Sequence, residues 1–140
     1  MKKSYPGELQ SLSKVAEDAE LFCARNHVCA DVSYAFTLCL DELFTNIISY
    51  GYKEDASKII DLELSADKEN MTAVIRDCAP KFDPLKDVED PDISAPLGNR
   101  DVGGLGIFFT KKTMDKISYK RENGFNILTL SKRLCSALKS

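Results

Sequence analysis

The sequence predicts an α+β fold: a two-layer sandwich with a mixed, mostly antiparallel sheet and its helices gathered on one face. Three observations carry this. Apolar residues recur at helical spacing twice in the first fifty positions. From Ile59 onward the period shortens to that of strands, and the apolar runs come in pairs joined by short polar turns. Strands and helices do not alternate as a dinucleotide-binding fold requires. Strands joined by hairpins, with the helices kept apart, fit two packed layers.

Taken in order, Pro6-Gly7 closes a short opening segment. Leu9, Leu12, Val15, Ala16, Ala19, Phe22 and Cys23 then describe one amphipathic helix ending near Asn26-His27. Asp31 or Ser33 is placed to cap a second helix, whose buried side carries Phe36, Leu40, Leu43, Phe44, Ile47 and Ile48. That helix is expected to stop at Tyr50-Gly51-Tyr52. Ile59 through Leu64 reads as a strand, residues 67–70 as a turn, and Met71 through Ile75 as a second strand. Residues 78–102 are rich in Pro and Asp, with five acidic residues from Asp83 to Asp92, and read as a lid. A third helix follows Gly106, and a hairpin around Glu122-Asn123-Gly124 joins the last two strands.

With 140 residues the chain has room for one domain, 1–140. Its net charge of −3 argues against a general nucleic-acid binder, which needs a cationic surface to neutralise phosphates. The five cysteines are scattered without a C-x-x-C pair and there is a single histidine, so a zinc site is not expected. Neither a signal peptide nor a membrane span is legible. Reduced thiols in a cytoplasmic protein are therefore the expectation, with Cys39 as a small core residue.

Several residues have chemistry to offer. Glu42 and Asn46 lie four apart and share a helix face. Glu42 suits a proton acceptor and Asn46 an oxygen ligand for Mg²⁺. On the pair alone, a solvated helix edge is the simpler account. Asp77 ends a strand, where a carboxylate can accept from an exocyclic amine or simply shape a turn. Phe82 at the loop base either walls a base pocket or anchors the loop. Gly103-Gly104-Leu105-Gly106 opens an apolar helix, so its backbone can approach a phosphate closely. No Walker A motif occurs. His27 reads as a surface residue at a helix end, and the Lys111, Lys112, Lys116, Lys120 and Arg121 cluster as a solvated face or a dock for an acidic partner.

In this order and spacing, the segments resemble the histidine-kinase-like (Bergerat) ATPases, and in particular the small anti-sigma-factor serine kinases of bacteria. Leu40 through Tyr52 is similar to the family's N box, Arg76-Asp77-Cys78-Ala79 through Pro84 to the first glycine box and its lid, and Ala95 through Ile107 to the second glycine box. The resemblance implies Glu42 as general base, Asn46 as the Mg²⁺ ligand, and Asp77 as the reader of adenine. It places Ala79, Phe82, Gly103, Gly104, Leu105 and Gly106 around the nucleotide, with Thr129 helping on the adenine side. Ala79 departs from the family's usual glycine, which implies either a turn without positive φ or a weaker nucleotide site. Little of the family's N-terminal strand is present, and residues 1–6 are left to supply a short version.

The implied activity is transfer of phosphate from ATP, with Mg²⁺, to a serine or threonine of an anti-sigma antagonist (STAS-type) protein, together with sequestration of a sigma factor. A homodimer is the implied assembly, with no nucleic acid or membrane partner. The alternative is an ATP-binding regulatory module that sequesters its partner without phosphorylating it.

Overall fold

The computed structural model describes residues 1–86 and 104–135, with only the backbone described at 104 and 105. Residues 2–6 form β1 (Lys2–Pro6), so the opening segment does supply a strand. Helix α1 (Ser11–Arg25) and helix α2 (Ala30–Asn46) follow, then strands β2 (Ile59–Ala66) and β3 (Asn70–Asp77). Beyond the undescribed part of the predicted lid come α3 (Gly104–Thr113), β4 (Lys116–Glu122) and β5 (Phe125–Arg133).

The sheet has five strands in the order β1-β2-β3-β5-β4, and every described pairing is antiparallel. Strands β3 and β4 run in the same direction, but β5 lies between them, so the expected parallel component never becomes a ladder. The β4–β5 turn places Asn123 and Gly124 both at positive φ, 51° and 81°, the backbone a two-residue hairpin of matching twist needs.

Strand alternation decides which face is covered. Ile60, Leu62 and Leu64 of β2, Met71, Ala73 and Ile75 of β3, and Leu128 and Leu130 of β5 are buried. The helices supply the facing layer through Val15, Ala19, Cys23, Phe36, Cys39, Leu40, Leu43 and Phe44. Tyr5 of β1 meets Phe44 edge to face with ring centroids 5.8 Å apart. Its hydroxyl donates to buried Asp18 of α1 at 2.8 Å, and Lys3 reaches the same carboxylate at 3.0 Å. Burial alone would raise the Asp18 carboxyl, but the bonds from Lys3 and Tyr5 prevail and hold it below the ordinary range.

Two helix ends differ from expectation. Neither Asp31 nor Ser33 caps α2: the N-cap is Cys29, in extended backbone, without a side-chain cap bond. Asp31 sits instead in the first turn, where its charge complements the helix dipole. At the other end the helix does stop at Gly51–Tyr52, but its last turn is not α. After Asn46 it widens into a π-helical turn over Ile47–Gly51, closed by Tyr52 N–H donating to the Ile47 carbonyl at 2.7 Å. His27 stops α1 in the left-handed region at φ 55°, a conformational role.

The cysteine expectation is corrected for two residues. Cys29 and Cys135, 106 positions apart, form a disulfide. Spacing gave no hint because the contact is tertiary: the start of α2 meets the end of β5. Cys23 and Cys39 are free and buried, while Cys78 is free and exposed.

Candidate nucleotide site

The N box falls on α2 and its π-turn. Glu42 and Asn46 are each half-buried, one helical turn apart. Within the described residues neither side chain makes a hydrogen bond or salt bridge, so a carboxylate and an amide are left available along one edge of α2. Helix α3 packs beside them at Gly106. A Cβ on Gly106 would come within 2.9 Å of the Glu42 Cβ, so only glycine lets the first turn of α3 lie against this side chain. Gly106 therefore has a packing role in addition to the phosphate-cradling role expected of it. Gly104 and Leu105 open α3 as backbone, while Gly103 and the Leu105 side chain lie outside the described residues.

Asp77 ends β3 on the covered face and is 5% exposed. Its Oδ1 accepts from the Ala79 N–H at 3.0 Å and from Asn126 Nδ2 at 2.9 Å. Among the described residues Oδ2 has no hydrogen-bond partner. Burial pushes the Asp77 carboxyl up, opposed by the Asn126 and Ala79 bonds and by the nearby Arg121 charge, and the net direction is upward. A buried oxygen with spare acceptor capacity is what an exocyclic amine requires.

Ala79 fits without strain. It is absent from the positive-φ residues, and its methyl fills the space above Gly51, where a Cβ would lie 2.9 Å from the Ala79 Cβ. The glycine missing from the first box thus has a counterpart at the end of the N box. Tyr52 fixes the same corner. Its hydroxyl donates to the Ile59 carbonyl at 2.6 Å and accepts from the Cys78 N–H at 2.8 Å. Burial pushes the Tyr52 phenol up, so it stays a neutral donor and acceptor.

One expected residue is not brought to this site. Thr129 pairs with Val74, out of phase with buried Asn126, Leu128 and Leu130, so it lies on the uncovered face of the sheet, away from Asp77. Phe82 stays at the loop base beside Asn126, its N–H 3.4 Å from Asn126 Oδ1 and its side chain 42% exposed, while Pro84 is the buried residue of that loop. The residue that does stand opposite Asp77 is Asn126. Its parity with Leu128 and Leu130 was the signal that it faces the core and that Thr129 does not.

The model of the histidine kinase-like ATPase domain matches residues 5–132. The chain belongs to this family. Among curated relatives, a serine/threonine-protein kinase, BtrW, of Bordetella bronchiseptica is 29% identical over 128 residues, covering 89% of each chain. A serine-protein kinase, RsbW, of Bacillus cereus strain B4264 is 30% identical over 93 residues, covering 65% of this chain and 58% of that one. Of solved structures, the RsbU and RsbW domains of Rv1364c from Mycobacterium tuberculosis superpose with a TM-score of 0.63. That match covers 96% of this chain and 32% of the other at 15% identity, and so supports the fold alone. Among the described residues no helix is long and apolar enough to cross a membrane.

Proposed function

We propose that the chain, as one histidine kinase-like ATPase domain over residues 1–140 with a lid at about 78–102, is an ATP-dependent protein serine/threonine kinase. It would act as a cytoplasmic anti-sigma factor, phosphorylating an STAS-type antagonist and holding a sigma factor, as a homodimer. One observation carries this: Glu42, Asn46 and Asp77 Oδ2, three groups on adjoining elements, are all without hydrogen-bond or ion-pair partners among the described residues.

The residues fit ATP and Mg²⁺ by the chemistry of their donors and acceptors. Asp77 would accept from the adenine amine. Asn46 would supply an amide oxygen to Mg²⁺, which neutralises phosphate charge. The opening turn of α3 would present its free N–H groups to the phosphates. Glu42 would take the proton from the attacking serine or threonine hydroxyl as the oxygen–phosphorus bond forms, with ADP leaving. The kinases BtrW and RsbW support transfer to protein, and the antagonist and sigma-factor partners rest on the likeness to that group. A sensing module without transfer drew its support from Ala79. With its methyl seated over Gly51, that support is weakened.

The test is to incubate the protein with labelled ATP, Mg²⁺ and candidate antagonists from its own genome, alongside Glu42→Gln. Label on a partner serine or threonine, lost in the variant while ATP binding persists, is the expected result. Transfer undiminished in Glu42→Gln would overturn the role of Glu42, and absence of ATP binding would overturn the whole reading.

A further inference from the structure

Asn126 is 6% exposed and uses both ends of its amide. Its Nδ2 donates to Asp77 Oδ1 at 2.9 Å and faces the Ala79 and Pro80 carbonyls, each at 3.2 Å. Its Oδ1 accepts from Tyr119 Oη at 2.6 Å, from Arg121 Nη1 at 3.0 Å, and weakly from the Phe82 N–H at 3.4 Å. One side of the amide thus meets only acceptors and the other only donors. A flipped amide would set the NH₂ against a guanidinium and the oxygen against a carboxylate, so its orientation is fixed. Arg121 completes the frame by donating to the Ala79 carbonyl at 2.8 Å.

This amide therefore does two things to Asp77. It occupies Oδ1, leaving Oδ2 as the free acceptor, and it stabilises the ionised carboxylate against the cost of burial. An ionised Asp77 accepts from a C6 amine and repels a C6 carbonyl. A protonated Asp77 would donate to a carbonyl instead.

We propose that Asn126 is the positioning residue that makes this site select a 6-amino purine over a 6-oxo purine, acting through Asp77. The inference rests on the ATP-binding reading and deepens it. The other charged or titratable groups around Asp77 are Arg121 and Tyr119 on β4, Tyr52 after the π-turn, adjacent Cys78, and Asp83 in the loop, which faces Tyr119. Replacing Asn126 leaves all of these in place.

The experiment measures equilibrium binding of ATP and of inosine triphosphate, which differs only at C6 and N1, from pH 5 to 9. Wild type is compared with Asn126→Leu and Tyr119→Phe, with thermal melts as the check on folding. Tyr119→Phe removes one bond to Asn126 Oδ1 and leaves Asp77 untouched, so it serves if the leucine variant does not fold. In Asn126→Leu the ratio of ATP to inosine triphosphate affinity is expected to fall at least about tenfold, through loss of a charge-assisted bond. The acid limb of ATP binding moves to higher pH. Tyr119→Phe is expected to shift both in the same direction by a few-fold. If wild type prefers ATP, and folded variants lose affinity for both nucleotides equally with an unmoved acid limb, Asn126 is merely structural and the proposal falls. If wild type binds neither nucleotide, the ATP reading falls first and takes the proposal with it.

Discussion

Replacing Gly51 with alanine tests whether the end of the N box and the first glycine box are fitted to each other. The new Cβ would lie 2.9 Å from the Ala79 Cβ, whereas two carbons pack best at roughly 3.5–4.0 Å. The overlap falls between two backbone-tethered methyl groups, so neither can swing away. Overpacking of this kind costs about 1–3 kcal/mol. Against it stands a gain of about 0.4–1 kcal/mol from removing a glycine's unfolded-state freedom. The midpoints of these two ranges leave a net loss of about 1 kcal/mol, or roughly 3–5 °C in Tm for a chain of this length. Ala79→Gly alone deletes a buried methyl, worth about 0.8 kcal/mol, and adds backbone freedom. In Gly51→Ala/Ala79→Gly the overlap disappears, so the pair should be less harmful than the sum of its parts by about 1–3 kcal/mol. Urea unfolding of the four proteins gives the coupling directly. A Gly51→Ala melt within about 1 °C of wild type, or strict additivity in the cycle, would refute the fit.

Asp77→Asn keeps an Oδ1 for Ala79 and Asn126 but turns the free oxygen into a donor, and ATP should bind about 10–100-fold more weakly. The same change should raise Tm at neutral pH. Because the folded carboxyl lies above its unfolded value, the stability tied to its protonation is full at acid pH and lost as pH rises through the folded value. The variant's advantage should shrink on acidification, which melts from pH 4 to 7 will read. Cys135→Ser opens a link between residues 106 apart, for which chain entropy gives about 4–5 kcal/mol. The urea midpoint should drop accordingly, and reductant should reproduce the drop in wild type. Thiol titration of the unreduced protein should count one reactive cysteine when native and three when unfolded.

The pattern of helices and strands was open to reading because each element carries one clear period. Val15, Ala19 and Cys23 mark one helix face, and Ile60, Leu62 and Leu64 mark one strand face. Glu42 and Asn46 were found for the same reason, since a spacing of four fixes a shared face without any tertiary information. Asn126 and Cys135 were missed because their meaning lies in their partners. Asp77 and Asn126 are 49 residues apart, and only the β3–β5 register makes them neighbours. The misplacement of Thr129 was avoidable, since the parity of Leu128 and Leu130 already assigned it to the other face. The role of Ala79 was not legible, because it depends on an empty space over Gly51 that only packing creates.

The π-turn after Asn46 sets a rule of length. A π-turn takes in one residue more than an α-turn, and each helical residue advances the chain by about 100°. Residues after Gly51 therefore leave the helix about 100° out of phase with an uninterrupted α2. Tyr52 depends on that offset, because its hydroxyl must reach both the Ile59 carbonyl and the Cys78 N–H. Tightening 47–51 to a plain α-turn with all five residues kept would swing Tyr52 away from both, whereas deleting one of them lets an α-turn return Tyr52 to nearly the same direction. This stretch is a spacer in which the width of the turn is matched to the number of residues, so losing one residue together with the wide turn should disturb Tyr52 less than forcing all five residues into an α-turn.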